Sequence, residues 1–125
     1  MATQADLLRA RAKRFAIRVV KFVRSLPRDP AADSVARQLT RAAASVSANY
    51  HSTGRSRSRA ELIARLGVVV DEADESEQWL TVVRESKLAT GQELDWLLAE
   101  SGELRAIFSA SLKTARRNHG RTNDR

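Results

Sequence analysis

The 125-residue chain has no cysteine. That excludes disulfides, thiolate metal sites and cysteine nucleophiles together, and it fits a reducing compartment. Histidine is scarce: His51 and His119 are the only two, and neither stands in a Glu-x-x-His pair of the kind that di-iron bundles use. Proline occurs only as Pro27 and Pro30, and the five glycines never gather into a phosphate-cradling loop. No Ser/His/acid set suggests nucleophilic catalysis. No apolar run, Val68 to Val70 included, approaches the length that crosses a bilayer. The opening MATQADLLRARAKR has no apolar core of signal-peptide length. The chain is therefore expected to be soluble, cytoplasmic and non-enzymatic, with no cofactor.

Acid is missing from the first part of the chain. Residues 1–28 carry eight Lys or Arg against one acid, Asp6, whereas residues 60–83 carry six acids against one base, Arg65. The formal net charge is +7. Such asymmetry points to a polyanionic partner or to complementary contacts between subunits. Hydrophobic residues make up 42% of the chain, enough for one domain with a real core.

Four helical segments are legible. Leu8, Ala12, Phe15, Val19, Phe22 and Leu26 step by four and three along a helix from about Gln4 to Leu26, which Pro27 and Pro30 end. Val35, Leu39, Ala42, Val46 and Asn49 or Tyr50 mark a second, over about 32–49, with small residues between them. A third, over about 59–86, opens on an S-x-x-E capping box, Ser58 and Glu61, and carries the seam Leu62, Leu66, Val69, Ala73, Ser76, Leu80 and Val83. A fourth opens on a second box, Thr90 and Glu93. Its stripe is Leu94, Leu97 or Leu98, Ser101, Leu104, Phe108, Ser111 and Leu112, and its expected end is near Arg116. No segment alternates as a strand does. The pattern predicts an all-α fold, an antiparallel up-and-down four-helix bundle over 1–116, with a disordered basic tail over 117–125. Phe15, Leu39, Leu66, Leu80 and Leu104 are expected at its centre.

The stretch RAAASVSANYHSTGRSRSRAELIARLGVVVDEADESEQWL resembles the bacterial four-helix-bundle family named for the 23S ribosomal RNA intervening-sequence proteins. The matching features are Arg-Ala-Ala-x-Ser with Asn49, the Ser-Arg-Ala-Glu helix start, Leu66-Gly67, and EADE followed by Trp79-Leu80. One branch of that family has an acidic residue and glycine soon after the asparagine; here Ser52 and Thr53 stand there. The resemblance implies an antiparallel bundle and a homo-oligomer, since relatives form homopentameric rings. It also implies a tie to the accessory proteins of diversity-generating retroelements, whose basic bundles bind nucleic acid and a reverse transcriptase.

Three sets of residues are candidates for function. Arg55, Arg57 and Arg59 alternate with serines in the joint between the second and third helices. They read either as a solvated link or as a phosphate-contacting patch for RNA or DNA. Tyr50 and His51 beside them could stack on an unpaired base, although a lone tyrosine more often belongs to a core. Arg11, Arg14, Arg18 and Lys21, spaced by three and four, align on one flank of the first helix, and Arg116, Arg117 and Arg121 add cations near the carboxyl end. Ile63, Val68, Val70 and Trp79 lie off the seam of the third helix and are the expected oligomer contact. The acids Asp71, Glu72, Asp74, Glu75 and Glu77 are expected to pair with bases of the first helix or of a neighbouring subunit rather than to hold a metal. The function that follows is nucleic-acid binding by a homo-oligomeric bundle; the alternative is a protein–protein scaffold with no nucleic-acid ligand.

Overall fold

The computed structural model describes the backbone of residues 1–123 and the side chains of residues 1–120. Four helices fill it: α1 (Gln4–Val23), α2 (Pro30–Thr53), α3 (Arg59–Glu85) and α4 (Gln92–Asn123). Local chemistry sets their starts. The Thr3 hydroxyl accepts from the Asp6 amide while the Asp6 carboxylate accepts from the Thr3 amide, a complete capping box. Asp29 caps α2, with Pro30 at its first position, where the missing amide hydrogen costs nothing. The α3–α4 link turns on two left-handed residues, Lys87 (φ 62°) and Gly91 (φ 114°). At Lys87 the α3 end closes as a Schellman motif, Leu88 N–H donating to Val83 and Lys87 N–H to Arg84.

The short links make neighbours antiparallel. α1 packs on α2, α2 on α3 and α3 on α4; α1 and α4 close the ring but approach each other least. Among the described residues, backbones come close only between adjacent helices, which is the square plan of an up-and-down bundle. The expected seams are the core. Phe15, Leu39, Leu66, Leu80 and Leu104 are all buried, and on α4 it is Leu97 rather than Leu98 that turns fully inward. Tyr50 belongs to this core, its ring 4.8 Å from that of Phe108. The buried Ser76 and Ser101 hydroxyls donate to carbonyls of the preceding turn, so neither costs an unpaired polar group.

Two expectations about α4 need correction. Thr90 and Glu93 do not form a capping box: the helix begins after Gly91, and the Glu93 carboxylate is taken by Arg18 of α1. Nor does the helix end near Arg116; it runs to Asn123, so residues 117–123 of the expected disordered tail are helical. No proline intervenes, the single Gly120 costs only about 1 kcal/mol, and the basic residues there oppose the negative end of the helix dipole. Asp124 and Arg125, the rest of that tail, lie outside the described residues.

Candidate nucleic-acid interface

The α2–α3 joint is a tight turn rather than a loose arm. Arg55 N–H donates to the Ser52 carbonyl (3.0 Å) and Ser56 N–H to that of Thr53 (3.2 Å). The Arg9 guanidinium folds against this joint, close to Gly54. Ser58 caps α3 by accepting from the Glu61 amide (3.1 Å). The return half of the box is displaced by one residue: Glu61 accepts from the Arg57 amide and holds Arg65 at 2.9 Å. Arg65 foremost, then the Arg57 amide, keeps the Glu61 carboxyl below its ordinary pKa range.

Arg55, Arg57 and Arg59 are all exposed. Among the described residues no carboxylate pairs with Arg55 or Arg59, while Arg57 feels the charge of Glu61. Arg55 does not stand alone. Together with His51, Lys13 and Arg9 it rims an open groove of about 590 Å³ between α1 and α2, floored by Ala16, Ala44 and Ala48. Arg9 and Lys13 were not singled out in the sequence, although their spacing of four puts them on one face of α1. Small side chains along the floor let an extended chain come close to both helix backbones. His51 is exposed at this rim, whereas burial commits Tyr50 to the core and raises its hydroxyl pKa.

The cation row on α1 divides. Arg11 donates through Nε and Nη2 to both oxygens of Glu100, each at 2.7 Å, and reaches Glu103 at 3.2 Å. Arg18 makes the same two-pronged contact with Glu93 and lies over the Trp96 ring at 3.5 Å. Both point into the α1–α4 seam and bridge the widest gap in the bundle. Hydrogen bonding to these glutamates holds both guanidinium pKa values above the usual arginine range. Arg14 and Lys21, from the same row, stay exposed with no carboxylate partner among the described residues.

Four of the five acids, all but the exposed Asp71, pair within the bundle, though not with α1 as expected. Arg41 of α2 pairs with Glu72 (3.1 Å) and Glu75, and Arg105 of α4 with Glu77 (3.0 Å) and Asp74 (3.9 Å). The reason is rotation: with its seam inward, α3 turns these carboxylates towards its two neighbours, and α1 lies diagonally opposite. Of the expected oligomer contacts, Ile63, Val70 and Trp79 pack partly against their own core, and Trp79 donates to Glu75. Val68 alone is exposed, at 43%.

Topology then gathers what the sequence scatters. The start of α1, the end of α2, the start of α3 and the end of α4 meet at one end of the bundle. That end carries Arg9, Lys13, Arg55, Arg57, Arg59, Arg65, Lys113, Arg116 and Arg117, with only Asp6 and Glu61 to offset them among the described residues. The opposite end mixes Asp29, Asp33, Glu85, Glu93 and Asp95 with Lys21, Arg24, Arg28, Arg37, Arg84 and Lys87, close to balance.

The chain is similar in fold to a crystal structure of a protein of unknown function from the S23 ribosomal protein family of Bacteroides thetaiotaomicron. The TM-score is 0.80 at 22% identity, over 89% of this chain and 99% of that one. No curated protein matches. The family model described as 23S rRNA-intervening sequence protein matches residues 7–110, nearly the whole bundle. By that match the chain belongs to the 23S rRNA-intervening sequence protein family.

Proposed function

We propose that this protein is a non-enzymatic, homo-oligomeric bundle that binds RNA or DNA through its basic end with little regard to sequence. The observation that carries the reading is the lopsided charge. Carboxylates occupy the arginines of the seams, Arg11, Arg18, Arg41 and Arg105. Those at the α2–α3 end, Arg55 and Arg59, remain available beside Lys13 and Arg9. Asp6 engages Arg9 at 2.9 Å and Glu61 engages Arg65, while Arg55, Arg59 and Lys13 have no carboxylate partner among the described residues; cations left open on one face suit a row of phosphates. The tight turn supports the same reading, because a backbone held by its own hydrogen bonds loses less entropy on binding than a loose arm would.

The test is mobility of labelled RNA and DNA with rising salt. Each neutralised phosphate releases condensed counterions, so the Arg55→Ser/Arg57→Ser/Arg59→Ser variant should lose about 0.7–0.9 from the slope of log affinity against log salt per lost contact. Wild-type protein that retards neither nucleic acid at about 50 mM salt, well below the range where such binding fades, would sink the reading. Assembly through the α3 face at Val68 is the second part of the proposal, and a ring would multiply weak contacts by repeating the basic end.

A further inference from the structure

The α1–α4 seam is closed along one half and parted along the other. Towards the α4 start it is bridged by Arg11 to Glu100 and by Arg18 to Glu93. Towards the basic end, Gln4 to Leu8 of α1 and Ile107 to Asn118 of α4 stand apart around a cleft of about 650 Å³. Its walls mix apolar side chains, Leu8, Leu66 and Ile107 among them, with the polar Thr53, Ser111 and Thr114; Arg59 stands at its rim, as does Arg9, which also pairs with Asp6 at 2.9 Å. Tyr50 lines it too. Its ring packs on Phe108, and its hydroxyl has no hydrogen-bond partner among the described residues and is not among the sealed polar atoms. That hydroxyl therefore opens on the cleft. Arg9 lines both this cleft and the α1–α2 groove.

We infer that the cleft takes an unpaired nucleobase of a strand whose phosphates follow the groove. This rests on the reading of the basic end as a nucleic-acid surface and adds to it a choice of single strands over duplex. Three features fit that occupant. The volume lies in the range of pockets that enclose a small flat molecule. Apolar side chains for the face of a base stand beside the Tyr50, Ser111 and Thr114 hydroxyls, which suit its edge. The arginines at the mouth sit where the attached phosphates would emerge, so the charge of the site complements the ligand at the correct place. A duplex keeps its bases stacked inside and could use only the groove.

Fluorescence anisotropy with a labelled 15-nucleotide single strand and the matching duplex, at one salt concentration, tests it. The single strand should bind about ten-fold more tightly, the effect expected from burying one base face. Ile107→Trp fills the cleft and should erase that preference while leaving duplex affinity within about two-fold, since no phosphate contact is touched. Circular dichroism checks that the variant folds, and independently of it a single strand bearing 5-iodouracil is photo-cross-linked to the wild-type protein. Cross-links should map to Tyr50 or to the α1 and α4 walls. Equal affinity for both forms, an unchanged preference in folded Ile107→Trp, or cross-links confined to the α1–α2 groove would each overturn the inference while leaving the basic-end reading intact. Failure to bind either form would overturn both.

Discussion

Glu100 shows how little a single residue's name says about its role. In the sequence it is one carboxylate among fifteen acids. In the fold it is 6% exposed, with both oxygens taken by the Arg11 guanidinium. Glu103, one turn on, also reaches Arg11 but keeps most of its side chain in water. Burial decides which of the two matters. Glu100→Gln would leave Arg11 half-satisfied in a partly dry seam and should cost about 1–2 kcal/mol in urea unfolding. Glu103→Gln should stay within about 0.5 kcal/mol, as exposed pairs do. Equal effects would mean that the seam is wetter than its geometry implies. Nothing in the sequence separates the two glutamates, because the distinction depends on how far α4 is rotated against α1.

At the scale of the helix, what periodicity controls was legible. The four segments, the Ser58 cap and nearly every inward residue follow from spacing and turn chemistry alone, although α1 ends at Val23 and not at Leu26, α2 runs on to Thr53 and not to Asn49, and Pro30 opens α2. What failed depended on a partner helix. Thr90 and Glu93 satisfy the capping pattern, yet the Glu93 carboxylate accepts from Arg18 across the seam instead of from the Thr90 amide. The acids of α3 found α2 and α4 rather than α1. Arg11 and Arg18 looked free because their glutamates lie 89 and 75 residues away. These interhelical pairs should also set the response to acid. Arg18 holds the Glu93 carboxyl below its ordinary range, and the Trp79 indole, with Arg41 behind it, does the same for Glu75. A carboxyl whose folded pKa is depressed adds stability that is complete above its unfolded value and is lost as pH falls through the folded one. The melting temperature should therefore hold from pH 7 to about 5 and drop below about pH 4.3, the unfolded glutamate value. Glu93→Gln should flatten part of that drop in thermal scans by circular dichroism. A scan of Glu93→Gln that parallels wild type would show that the pair carries no linkage.

The whole molecule is where the candidate site appears. Arg55 to Arg59 were visible as a run, but their company was not: Arg9 and Lys13 are some forty residues away in the chain and join them only because α1 and α2 are antiparallel neighbours. Assembly is also a property of this scale. Val68 is the one off-seam apolar residue of α3 left exposed, so Val68→Glu should lower the mass seen by light scattering at micromolar concentration without altering the helical spectrum. A wild-type protein that is already monomeric would remove the α3 contact from the picture. The uneven distribution of cations has a kinetic meaning as well. A body with one strongly positive end and one nearly neutral end experiences a torque in the field of a polyanion before any contact is made. It is turned in flight, and the basic end arrives first. Encounters then succeed more often than random orientation would allow, and they do so most at low ionic strength, where the field reaches furthest. The near-neutral end trails into solvent, still open to whatever the bundle meets next.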